Sequence, residues 1–312
     1  MITRLPSPTL LQRIQAFLKL LKEAFVLFRQ NDPLRLASST AFFTLFALPP
    51  ILILLISVLG MLFTNALITG ELFHKMTDVV GENVASQVEL ILINFLNLQG
   101  NGWAAAFSFL FLTFVATTLF GVVQNSINQL WSVRAKGQRH LRGAVRNRFR
   151  ALLIIFSSGI LFLGTLFMDA TFTFINDHYV LWDAHFQLHL VQLANRLVGL
   201  VVETMWFAII FKFLPYAHID KRALWVGAAI TALLFLIGKL ILVQVLVKSG
   251  LGSLYSTSGS VVVLLLFIFY SAMILFFGAA FTKVYAQAEQ LPFFPKHFAT
   301  FYEVRETDHA PF

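Results

Sequence analysis

The chain contains no cysteine. Disulfides, thiolate nucleophiles and Cys-ligated metals are therefore excluded. Charge is also scarce. Only 12% of residues are charged, about half the share usual in a soluble domain. Acids are the scarcer sign, 15 against 23 Lys and Arg, for a net charge of +8. No phosphate-binding loop, Gly-rich dinucleotide turn or Gly-x-Ser-x-Gly elbow occurs. A metal-dependent nuclease needs clustered His and acids, whereas His140, His218, His297 and His309 are scattered. No enzyme, no cofactor and no nucleic-acid partner is expected.

What is present is apolar length. The chain is 58% hydrophobic with 35 Phe and a mean hydropathy of +0.79. Six runs are long enough to cross a bilayer, which takes about 20 residues. They lie at about 34–63, 103–123, 151–174, 191–213, 223–247 and 260–285. The expected architecture is an all-α integral membrane protein of six transmembrane helices. Residues 1–33 precede it as an amphipathic helix, lying on the membrane surface or packed on the protein's own cytoplasmic face, with Leu10, Ile14, Phe17, Leu21 and Phe28 on one side. Residues 286–312 follow as a polar tail, solvated towards Glu303, Glu306, Asp308 and His309.

Basic residues give the orientation. Seven lie between Ser132 and Arg150 with no acid among them, six lie in residues 1–35, and three lie in each of 212–222 and 283–312. The opposite loops carry only Lys75 and Lys248. Cations concentrate in cytoplasmic loops, so both termini are expected in the cytoplasm. Because the cations fall in alternate loops and form no single patch, this topological reading is preferred to nucleic-acid binding.

Several residues stand out within the spans. Pro49-Pro50 removes two backbone donors from the first and predicts a helix break or kink. Thr113, Thr117, Gly121, Asn125 and Gln129 recur every four residues, a stripe suited to close helix contact. Gln124, Asn125, Asn128 and Gln129 are candidates for a cytoplasmic mouth, with interhelical hydrogen bonding as the alternative. Charges inside spans are costly and usually face a bundle interior or a wet cavity. Asp169, Arg196, Glu203 and Lys239, with Gln244, form a candidate polar cavity in the outer half. Arg196 and Glu203 are seven apart on one helix face, and Asp169–Arg196 and Glu203–Lys239 are the candidate pairs. Neutral structural ion pairs are the alternative. His185 and His189, four apart, are a weak candidate metal pair; an interfacial segment around Tyr179 and Trp182 explains the same stretch.

Leu36 to Phe46 (LASSTAFFTLF) followed by Pro49-Pro50 resembles the first span of the YihY/BrkB family of bacterial inner-membrane proteins. Asn125 to Trp131 before the basic loop, Val226-Gly227-Ala228 through Lys239, and Tyr255 to Ser260 with Tyr270-Ser271-Ala272 and Gly278-Ala279 are similar to its later signatures. The resemblance covers roughly residues 15–287. It implies an inner-membrane protein of six spans with cytoplasmic termini. In the family pattern an acid follows Gly-Ala near the end of the last span, whereas Ala280 stands here. The expected function is movement of a lipid or other amphiphilic envelope component across the inner membrane, with membrane lipids as partners. The alternative is a non-transporting scaffold that partners envelope assembly proteins.

Overall fold

The computed structural model describes residues 10–59, 102–136, 141–178, 184–249 and 259–303, with scattered positions between 70 and 93. Helix α1 (Leu10–Gln30) is followed by α2 (Pro33–Leu59), α3 (Gly102–Leu130), α4 (Leu141–His178), α5 (Ala184–Phe213), α6 (Lys221–Ser249) and α7 (Gly259–Ala288). Four short strands join them: β1 (Val133–Ala135), β2 (Ala217–Ile219), β3 (Phe293–Pro295) and β4 (Ala299–Phe301).

Long apolar runs of this kind become helices because hydrocarbon offers no partner for free backbone groups. Among the described residues, Leu193–Phe213, Lys221–Ile241 and Val261–Ala288 are long and apolar enough to cross a membrane. Pro33–Leu48 and Phe149–Thr165 are shorter apolar stretches. Large apolar side chains such as Phe114, Phe156, Leu197, Ile237 and Leu240 are exposed. That suits lipid as the surrounding solvent, which gives no reason to hide them.

Helices α2, α7, α6, α5 and α4 pack in sequence around a ring that closes from α4 back to α2, and α3 lies against α2, α4 and α7. Of the break or kink expected at Pro49-Pro50, the break does not occur: α2 is helical throughout Pro33–Leu59. Each missing donor removes one bond, and α2 as a whole is held by its packing on α3 and α7. Nor does the polar first half of α2 line water by necessity. Thr40 donates to the Leu36 carbonyl at 2.9 Å and Thr44 to the Thr40 carbonyl at 2.7 Å, so their hydroxyls are satisfied within the helix.

Helix α1 does not lie free on a surface. Ala24 and Phe28 are buried, and Phe17 and Phe28 meet Phe281 and Phe277 of α7 edge-on at 6.1 and 5.8 Å. Its outer side still exposes Ile14, Leu18 and Phe25.

The closest helix contact is not on the predicted α3 stripe. A Cβ on Gly121 would meet nothing within 4 Å, and Asn125 is exposed. The close approach is between α6 and α7, where the same five-residue pattern occurs twice: Gly-Ala-Ala-Ile-Thr from Gly227 to Thr231 and Gly-Ala-Ala-Phe-Thr from Gly278 to Thr282. The two copies pack reciprocally. A Cβ on Gly227 would lie 2.0 Å from the Thr282 hydroxyl, and one on Gly278 would lie 1.9 Å from the Thr231 hydroxyl. Each threonine in turn donates to the carbonyl of the glycine in its own copy, at 2.6 Å. Further along, Tyr270 fills the notch over Gly238 and donates to the Leu234 carbonyl at 3.1 Å. Gly278→Ala is expected to lower thermal stability in detergent by about 1–3 kcal/mol through overpacking. Adding Thr231→Gly should recover part of the loss, and Gly121→Ala should be near neutral. Equal effects at Gly278 and Gly121 would contradict this account of the contact.

Candidate functional site

The structure brings together two sets of polar residues: a stitched set at one end of the bundle and a sparse set within it. The stitched end is built by the tail. The sequence reading expected residues 286–312 to be a polar tail, whereas residues 286–303 fold back onto the bundle. Gln290, at φ 53°, ends α7 with the Leu291 amide bonded to the Ala286 carbonyl at 2.8 Å, a left-handed helix stop. The chain then turns back. β3 pairs antiparallel with β2, with His218 opposite Phe294. β4 pairs antiparallel with β1, with Arg134 opposite Thr300. The tail therefore clasps two separate inter-helix connections. Its apolar residues explain why: Phe293 meets fully buried Trp131 at 5.6 Å, and Phe298 meets Tyr216 at 5.4 Å. Glu306, Asp308 and His309 lie outside the described residues.

Two buried lysines lock the clasp. Lys283 donates to the Leu130 carbonyl at 3.0 Å and to the Ser132 hydroxyl at 3.1 Å, at the carbonyl end of α3. A cation is favourable there because the aligned peptide dipoles leave that end negative. Lys296 donates to the Pro215 carbonyl at 2.6 Å, just past α5. Trp131 adds a bond to the Ala279 carbonyl at 2.9 Å. Sequence reading assigned no role to either lysine. The available signal was a lysine at the otherwise apolar end of α7 and a Phe-rich tail.

The predicted mouth residues belong to this stitching. Gln124 donates to the Leu214 carbonyl. Asn128 accepts from the Tyr216 amide at 2.8 Å. Gln129 donates to the Asn31 carbonyl and accepts from Arg35, both at 3.3 Å. Asn125 alone of the four is exposed. Three of the four amides thus tie α3 to the connections before α2 and after α5, and the hydrogen-bonding alternative describes them.

The sparse set lies on α5 and α6. Arg196 is exposed. Glu203 is half-buried, and its Oε2 is buried without a hydrogen-bond partner. Lys239, half-buried on the neighbouring helix, is the charge that acts on it. Among the described residues the two make no ion pair within 4.0 Å. The side chains of Asp169, Gln244, His185 and His189 lie outside the described part, and so does any Asp169–Arg196 pair. No group of three or more metal-ligating side chains occurs among the described residues.

The family described as Virulence factor BrkB matches residues 24–296. The chain belongs to the BrkB family. The matched region runs from the seat of α1 on α7 to Lys296 of the clasp. A UPF0761 membrane protein of Pseudomonas aeruginosa is 25% identical over 252 residues, covering 78% of this chain and 57% of the relative. Another, of Teredinibacter turnerae, is 21% identical over 273 residues, covering 85% and 60%. The chain thus spans less than two thirds of the length of these relatives. No solved structure matches. In this BrkB chain Ala280 is fully buried in the apolar core beside Gly278 and Ala279. A carboxylate at that position would be buried among apolar side chains.

Two outcomes follow from the stitched end. Gln124→Leu and Asn128→Leu should each lower the yield of folded protein, by about 1–3 kcal/mol in stability, because each strips a buried backbone group of its partner. Monodispersity and melting in detergent check this; unchanged melting would return these amides to a mouth. Separately, His218 stacks near Phe294 at 5.5 Å, and its pKa is held below the usual histidine value by burial and by Lys296, Arg150 and His297. A depressed histidine contributes stability above its unfolded pKa of about 6.5 and loses it as pH falls below that. Melting should therefore drop from pH 7 to pH 5, and His218→Gln should reduce that drop.

Proposed function

We propose that this BrkB-family protein moves a lipid or other amphiphilic envelope component across the bacterial inner membrane. In this reading the six long helices α2–α7 are six spans, both termini are cytoplasmic, and the clasp end faces the cytoplasm. The distribution of Lys and Arg along the sequence supports that orientation, since 19 of the 23 fall in the termini and connections that this topology puts in the cytoplasm. The protein acts without enzymatic chemistry or a cofactor, its partners are membrane lipids, and it does not engage nucleic acid.

The observation that carries the reading is Glu203. An acid inside a membrane helix is expensive, and a buried oxygen without a partner is more so. Lys239 faces it from α6 without pairing within 4.0 Å. Two opposite charges kept apart inside a bundle suit a headgroup or a coupling proton better than they suit a structural pair. The scaffold reading has its own support: Gln124, Gln129 and the two lysines of the clasp end donate to backbone carbonyls.

The test is a liposome assay with fluorescent phospholipid in both leaflets and dithionite outside. Quenching beyond one half, abolished by Glu203→Gln at equal protein level, is the expected outcome. Quenching that stops at one half under an imposed proton gradient, or that is unchanged in Glu203→Gln, would favour the scaffold.

A further inference from the structure

A groove of about 470 Å³ opens between α1 and the clasp end of α7, lined by Glu23, Leu27, Lys283, Val284, Gln287 and Ala288. Its chemistry is divided. Lys283 is buried at its base, with two of its three N–H donors given to Leu130 and Ser132. The third has no partner among the described residues, and Lys283 lines the groove. Glu23 stands at the rim, half-exposed, with only a 3.9 Å contact to Lys19. Among the described residues Glu23 and Lys283 form no ion pair within 4.0 Å, although they line one groove. Gln287, exposed beside them, adds two amide donors and an acceptor. Leu27, Val284 and Ala288 supply an apolar wall.

A dianionic ligand is disfavoured here by Glu23 and a purely cationic one by Lys283. A ligand bearing both charges satisfies both. We propose that this groove binds the headgroup of a zwitterionic phospholipid with a primary ammonium. The phosphate takes the free N–H of Lys283 and the amide of Gln287, the ammonium donates to Glu23, and the acyl chains run along the apolar wall of Leu27, Val284 and Ala288. A primary ammonium is specified because a carboxylate accepts hydrogen bonds from N–H groups, which a quaternary ammonium lacks. Such a charge-assisted bond contributes roughly 1.5–3 kcal/mol, or about tenfold or more in affinity.

The full chain in detergent, titrated with phosphatidylethanolamine, phosphatidylcholine and phosphatidylglycerol under native mass spectrometry, tests this. Phosphatidylethanolamine should bind about tenfold tighter than either of the others. Glu23→Gln, an exposed substitution that leaves the fold intact, should erase that preference, and Gln287→Ala should weaken all three. Equal binding of the three lipids, or a preference that survives Glu23→Gln, overturns the assignment. Water-soluble glycerophosphoethanolamine separates the sources of the same chemistry. Binding weaker than that of the whole lipid assigns the groove to bilayer lipid, and equal binding assigns it to a free headgroup. Occupancy is read without transport, so failure of the translocation reading leaves this result standing.

Discussion

The ammonium of Lys283 at the carbonyl end of α3 is the contact on which the clasp end depends. A lysine buried in an apolar bundle is unfavourable unless polar groups replace its water. Here the replacement is the Leu130 carbonyl and the Ser132 hydroxyl, where the helix dipole is negative. Ser132 itself sits at φ 55°, a conformation that costs a non-glycine residue about 1–2 kcal/mol and that turns the chain out of α3 into β1. The Tyr302 amide then bonds the Ser132 carbonyl at 3.0 Å. One side chain on the last helix thus sets where α3 stops, where β1 starts and what the tail can reach. The same lysine forms the base of the α1 groove.

The molecule is stitched at one end and smooth elsewhere. Ile127, Leu130, Trp131, Phe211, Phe276 and Phe281, among the most buried large side chains, gather toward the clasp, whereas the apolar stretches that suit a membrane keep much of their surface exposed. In lipid, apolar burial between helices yields little, and close approach with local hydrogen bonds matters more. The paired Gly-Ala-Ala-x-Thr segments of α6 and α7 supply that approach. Against this background Glu203 is the exception: a charge with no stitching role, on a helix whose neighbour offers Lys239 without closing the pair.

Much of this was legible in the sequence, for a physical reason. Runs such as those beginning near Leu34 and Ser260 have one stable form in hydrocarbon, so the predicted spans coincide with α2 through α7 to within a few residues at most ends. The helices run longer than predicted where they leave the apolar zone. α4 begins at Leu141 inside the basic loop and α5 at Ala184, because helix does not need an apolar sequence once packing supports it; the continuation of α3 through Gln124–Leu130 follows the helical spacing already legible there. The clasp was missed because three-residue strands carry almost no local signal and pair across more than 70 residues. The Gly-Ala-Ala-x-Thr repeat was in plain view, but regular four-residue spacing drew attention to the wrong helix, α3. Of the charged cluster, Glu203 and Lys239 lie half-buried on neighbouring helices and Arg196 is exposed, while the side chains of Asp169 and Gln244 lie outside the described residues.

Hydrogen–deuterium exchange at the clasp tests the central dependence most directly. The Tyr302 amide bonds Ser132 and the Lys136 amide bonds Phe298, so both should exchange slowly in the wild-type chain. In Lys283→Met both should lose protection together with the last turn of α3, while α5 and the centre of α6 keep theirs. Fast exchange at these amides in the wild type, or slow exchange that survives Lys283→Met, would contradict the account.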